Sequence, residues 1–167
     1  MLACGLDVST QKSGVCLMAD EKIIYYTLID LHKEKDTTKR MEQMMLKICN
    51  ILDNYPLDAV YMEKAIMKGG NADTIQKLSY LAGAMMLYCL KRGIKFYNPL
   101  PSQWRATVGI QNGRGVKREE AKAMAIKAVK DEYGIDAGDD VCEAILLCRS
   151  AFDLPQINVT TDDLWGE

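Results

Sequence analysis

Apolar residues recur along this chain with two different periods. Residues 2–8 (LACGLDV), 14–18 and 23–31 are short apolar or alternating runs separated by polar turn residues, and they predict three antiparallel strands. Residues 36–53 then switch to helical spacing, with Met41, Met44, Met45, Ile48 and Leu52 on one face and Asp36, Thr37 or Thr38 available as the cap. The β-branched and aromatic run at residues 57–63 (LDAVYME) predicts a buried strand that ends on a carboxylate, and a glycine-containing loop follows at residues 64–73. A long, mostly apolar helix is expected from about residue 72 to 92, closed by Gly93, and a short strand at residues 94–98. With the usual right-handed crossover, these last two strands run parallel, which gives the order βββαβαβ.

Three further helices complete the pattern. Residues 101–108 form a short one, residues 111–115 (QNGRG) a basic loop, and residues 117–133 a helix with Ala121, Met124, Ala125, Ala128 and Val129 on one face. Residues 139–152 form the last helix, with Val141, Ala144, Ile145, Cys148 and Phe152 inward. No repeat or linker interrupts the series, so residues 1–154 are expected to form a single domain and residues 155–167 a polar C-terminal tail.

Composition narrows the class. The chain has 167 residues, 49% hydrophobic and 26% charged, which suits one globular core and excludes a disordered or fibrous protein. No basic segment precedes an apolar stretch at the N-terminus, and no run reaches the roughly 18 apolar residues of a membrane span, so a cytoplasmic protein is expected. The six cysteines form no C-x-x-C pair and the single histidine is His32, which argues against a zinc site and for reduced core thiols. Net charge is −2, but residues 91–130 carry ten Lys/Arg against Glu119 and Glu120, a local charge of +8. Such a block fits either a polyanion-binding surface or a solvated helix face.

Candidate chemistry lies in the acids. Asp7 ends the first strand, Glu63 ends the fourth, and Asp140 and Glu143 stand three apart at the start of the last helix, where they project from one face. Each has an ordinary explanation: a turn residue, a salt bridge to Lys64, or acids that complement the helix dipole. Taken together they are the oxygen-only donor set that hard divalent cations require. Two Mg²⁺ or Mn²⁺ ions about 4 Å apart could be held there and activate a water toward a phosphodiester. Four clustered acids would also raise one another's pKa values when no metal is bound.

The segments GLDVST with the following SGV, VYMEKAIMKGGNADTIQKLSYLAGAM, PSQWRATVGI and DDVCEAILL together resemble the RuvC-type four-way (Holliday) junction resolvases, in particular the shorter phage-type members, over about residues 2–150. The resemblance implies a ribonuclease H-like α/β fold, with a five-stranded mixed sheet (three antiparallel strands, then two parallel) flanked by helices. It also implies a homodimer that binds branched double-stranded DNA and cuts it by paired symmetric nicks in recombination, repair or phage DNA processing. Carried onto this chain, the catalytic and metal-binding acids are Asp7, Glu63, Asp140 and Glu143. The family's D-x-x-[DE] spacing favours Asp140 over its neighbour Asp139, which is the alternative ligand and otherwise the helix cap. The bacterial enzymes have Asp where this chain has Glu143. Lys68, Asn71, Arg114, Lys117 and Arg118 fall where the family contacts DNA. The long apolar segment 78–90 offers more hydrophobic surface than a small core consumes, which fits either a dimer face or core packing. Two other readings compete: a nucleotide-binding module of the actin or sugar-kinase type, which normally needs two such domains, and a non-catalytic nucleic-acid-binding module, which would not need all four acids.

Overall fold

The computed structural model describes residues 1–66, 72–110 and 115–154. Its strands are β1 (Leu2–Asp7), β2 (Lys12–Ala19), β3 (Lys22–Asp30), β4 (Ala59–Met62) and β5 (Lys95–Tyr97), and its helices are α1 (Thr37–Leu52), α2 (Ala72–Lys91), α3 (Pro101–Thr107), α4 (Arg118–Tyr133) and α5 (Asp139–Ser150). They form one five-stranded sheet in the order β3-β2-β1-β4-β5. The first three strands are antiparallel, while β4 runs parallel to β1 and β5 parallel to β4. This is the expected α/β mixed sheet.

Local chemistry explains the element ends. Asp36 caps α1 by accepting the Lys39 N–H at 3.0 Å, an interaction worth about 1 kcal/mol. Gly93 follows α2 with φ 68°, the left-handed conformation that closes the helix. Some boundaries differ from expectation. Strand β2 starts two residues early because Lys12 and Ser13 pair with Asp30 and Ile29 of β3, so the partner strand recruits residues that the apolar run does not include. Strand β4 stops at Met62, which leaves Glu63 just beyond the strand, its N–H still donating to the Leu6 carbonyl at 3.4 Å. The residue before α5 is Gly138, so Asp139 is the first helical residue and not the cap. The expected tail from Pro155 lies outside the described residues.

Helices cover both faces of the sheet. Cys4, Leu6, Val15, Leu17, Val60 and Met62 bury one face under α1 and α2, with Met44, Ile48, Leu81 and Met85 fully or almost fully buried against them. The other face carries Ala3, Cys16, Met18, Ala59 and Tyr61 and receives α5, with α3 and α4 packed outside it. By the two-residue period of strands, Asp7 and Glu63 belong to this second face, in line with Ala3 and with Tyr61.

Helix α5 sits unusually close to the sheet, and two glycines allow it. A Cβ built on Gly5 would lie 2.3 Å from the Ala144 carbonyl oxygen, and one on Gly14 would lie 1.9 Å from the Asp140 carbonyl oxygen. Any side chain at either position would push the helix away. Gly14 pairs directly with Asp7 across the β1–β2 ladder. The first turn of α5 is therefore seated beside the end of β1, which is where the acids meet. No helix among the described residues is long and apolar enough to cross a membrane.

Candidate active site

Asp7 is the centre of the arrangement. Burial pushes its carboxyl well above the usual carboxylate range, the negative charges of Glu143, Glu63 and Asp140 push it further, and Arg105 pulls against them. Three elements that are distant in sequence thus bring their acids to the end of one strand. Glu143 is also raised, first by burial, with Glu63 adding to the effect and Arg105 opposing it. Asp140 stands at the margin of the group. Burial and the adjacent Asp139 raise its carboxyl, while Lys122, Lys12 and Arg118 lower it.

Asp139 faces a different way. Its carboxylate forms an ion pair with Lys122 of α4, and that lysine holds its pKa below the usual value. The acids that chiefly raise Asp7 are Glu143, Glu63 and Asp140. Of the two neighbouring acids, the one three residues before Glu143 is therefore the one electrostatically joined to the cluster.

Helix α3 ties two of the acids together. The Trp104 indole donates to Glu63 Oε2 at 2.6 Å, and Arg105 Nη2 lies 2.7 Å from Glu143 Oε1 and 3.6 Å from Glu63 Oε2. Trp104 is 1% exposed, and its ring lies 5.0 Å below the Arg105 guanidinium carbon. Arginine 105 counts toward the basic block, but its charge balance alone does not reveal that it reaches the acids. The available signal is its position next to a large aromatic residue at the end of a short helix, which directs one long cation toward the sheet. Trp104 and Tyr97 are core residues, and the Tyr97 ring stacks on Tyr61 at 4.6 Å.

The donor set fits a divalent cation. It consists of carboxylate oxygens, partly withdrawn from water, whose mutual repulsion a cation would relieve, and the protein already places a guanidinium between two of them. Among the described residues no three His, Cys, Asp or Glu side chains are gathered into a finished ligand set. A cavity of about 240 Å³ opens beside Asp7 and Glu63, bounded by Val8, Met62, Leu78 and Ala82 with the polar Lys64, Ser79 and Asn98.

Of the expected DNA contacts, Lys117 and Arg118 are exposed at the start of α4, and Arg118 is close enough to Asp140 and Asp139 to lower both carboxyls. Arg118 therefore stands on the acid side of the molecule. Lys68, Asn71 and Arg114 lie outside the described residues.

A mixed sheet in this strand order, with acids at the ends of β1 and β4 and on the helix crossing them, has the layout of a ribonuclease H-like nuclease. The model of the family described as crossover junction endodeoxyribonuclease RuvC matches residues 2–148, and the chain belongs to that family. It is accordingly a junction-cleaving endonuclease of a divalent-metal-dependent type. The competing nucleotide-binding and non-catalytic readings give way to this one.

Two solved structures have the same fold. Thermus thermophilus RuvC in complex with a Holliday junction substrate superimposes with a TM-score of 0.70 at 14% identity, covering 90% of this chain and 92% of that one. The fowlpox virus resolvase in complex with Holliday junction DNA gives a TM-score of 0.60 at 14% identity, covering 92% and 97%. Among curated proteins no relative matches by sequence.

Proposed function

We propose that this chain cleaves four-way DNA junctions with Asp7, Glu63, Asp140 and Glu143 as the ligands of two Mg²⁺ or Mn²⁺ ions, and that it works as a homodimer making paired symmetric nicks. The observation that carries the assignment is that Gly14, opposite Asp7, lies against the Asp140 backbone of α5 while Arg105 reaches both Glu143 of α5 and Glu63 just beyond β4. Asp139 is left out because Lys122 already neutralises it. When bound, divalent ions would supply the Lewis acidity that lowers the pKa of an attacking water and stabilises charge on the phosphate.

The protein's own groups do the positioning. Trp104 fixes the Glu63 carboxylate through its indole N–H, and in the metal-free protein Arg105 holds Glu143, so both carboxylates are already positioned before a cation enters. Lys117 and Arg118, with Arg114, Lys68 and Asn71, are proposed to hold the phosphate backbone, which would make junction affinity fall steeply with salt. The outward side of α2 supports a homodimer. Tyr80 and Leu90 are each 58% exposed and Leu87 52%, a single apolar stripe at helical spacing on a helix whose other side is core. Cytoplasmic work in a bacterial or phage-infected cell fits cysteines that are all free, five of them buried.

The test is a cleavage assay on synthetic four-way, three-way and linear DNA with Mg²⁺, using the wild type and Asp7→Asn. Symmetric nicks on opposing strands of the four-way junction are expected from the wild type. Asp7→Asn should bind the junction with unchanged affinity and not cut it. Full cleavage by that variant would remove Asp7 from the site.

A further inference from the structure

Arg105 occupies an odd position for a structural ion pair. It is largely buried, yet a single nitrogen, Nη2, serves both Glu143 at 2.7 Å and Glu63 at 3.6 Å. Its Nε–H is buried without any hydrogen-bond partner. A guanidinium that locks two carboxylates normally uses its parallel fork of donors, two nitrogens to two oxygens. Here one nitrogen carries both contacts, and the buried Nε–H is left without a partner at a cost. Geometry of this kind indicates a cation held by the field of the acids and not by matched hydrogen bonds. Glu63 and Glu143 both face the guanidinium, and Arg105 is also an opposing charge acting on the buried Asp7.

We propose that Arg105 is the resident counter-ion of the metal-free site, and that its bridge between Glu63 and Glu143 competes with a divalent cation for the same two carboxylates. The proposal rests on the reading of Glu63 and Glu143 as metal ligands. In the metal-free protein the guanidinium holds the two carboxylates facing one another. A cation that takes the same oxygens displaces Nη2 from them, while the guanidinium keeps its place over the Trp104 ring, 5.0 Å from the ring centre. Arg105 thus sets metal affinity by opposing it, and the exchange leaves a free guanidinium at the edge of the site. A purely structural Arg105 would act in the opposite direction, because its loss would loosen both ligands and weaken metal binding.

The experiment uses the full chain, stripped of metal with EDTA and dialysed, then titrated with Mn²⁺ by calorimetry. Wild type, Arg105→Gln and Asp7→Asn are compared. The expected result is that Arg105→Gln binds Mn²⁺ tighter than wild type by roughly threefold or more, the effect being limited by partial solvent screening. Its metal-free melting temperature should be lower than that of the wild type, and its rise at saturating Mn²⁺ larger. Equal or weaker Mn²⁺ affinity in folded Arg105→Gln would overturn the counter-ion role alone. Absence of Mn²⁺ binding by the wild type, or unaltered binding by Asp7→Asn, would instead overturn the ligand assignment beneath it. Should Arg105→Gln fail to fold, ¹⁵N spectra of the wild type decide: Mg²⁺ should move the Arg105 Nε–H resonance, and an unmoved resonance at saturation would refute the exchange.

Discussion

Gly14→Ala tests how the site is assembled without touching any acid. The added Cβ would lie 1.9 Å from the Asp140 carbonyl oxygen and 2.5 Å from its carbonyl carbon, so α5 must retreat from the sheet by more than an ångström at its first turn. Trimming Ala144, whose Cβ is 3.0 Å away, offers no relief because the obstacle is backbone. Overpacking of this kind costs about 1–3 kcal/mol, and a clash with main chain belongs at the upper end. For a domain of this size that corresponds to a loss of roughly 4–10 °C in melting temperature. The same retreat carries Asp140 and Glu143 away from Asp7, and a displacement of about 1 Å in a positioned site can reduce the rate about a hundredfold. Thermal melts followed by circular dichroism, combined with single-turnover cleavage of a four-way junction at a temperature where the variant is folded, separate the two effects. A variant that melts within about 1 °C of the wild type and cuts at the same rate would refute the close seating of α5, and with it the derivation of the site.

Three other outcomes are expected. Asp140→Asn should lower the cleavage rate by about a hundredfold or more, whereas Asp139→Asn should lose only a partly exposed ion pair with Lys122, worth about 1 kcal/mol or less, and keep cleavage close to wild type; the reverse order in the same assay would exchange their roles. Because burial and then the neighbouring acids raise the Asp7 carboxyl in the folded chain, its stabilising effect is fully present below the ordinary Asp value of about 4 and is lost as pH rises through the raised one. Melting temperatures in EDTA should therefore fall across that window less steeply for Asp7→Asn than for wild type, and parallel pH profiles would contradict the shift. Leu87→Asp with Leu90→Asp should convert a dimer to a monomer in sedimentation equilibrium while leaving the metal-free fold intact, since both side chains are more than half exposed; a variant that remains dimeric would move the interface off α2.

Much of the fold follows from periodicity, since each of the ten described elements coincides with a run of matching period in the sequence. What periodicity does not carry is how elements pair. Lys12 and Ser13 extend β2 only because β3 lies beside them, and Glu63 falls outside β4 because pairing with β1 ends at Met62. The acids are visible one at a time, but their convergence depends on Gly5 and Gly14, which in a strand read merely as weak β-formers until α5 is seen to rest on them. The role of Asp139 is likewise hidden, because its partner Lys122 is remote in sequence and belongs to a helix whose packing partner cannot be read from spacing. Arg105 is the clearest case. Its charge is plain in the sequence, whereas its destination is fixed by the buried Trp104 that precedes it.

These dependencies also give a physical reason for the longer acid at position 143, where the family resemblance anticipates aspartate. Helix α5 is held against the sheet at Asp140, and Glu143 departs from the next part of the same turn. From there its carboxylate must meet a guanidinium delivered from α3, and it does so at 2.7 Å. An aspartate at this position would stop short by about 1.5 Å, the length of one carbon–carbon bond. Arg105 would then be left with Glu63 alone at 3.6 Å, a distance at which the contact is an ion pair and no longer a hydrogen bond. A long acid on α5 and a long base on α3 are thus matched across the site. The match places the guanidinium between the two carboxylates while the sheet end, fixed by Asp7 opposite Gly14, stays in register with both.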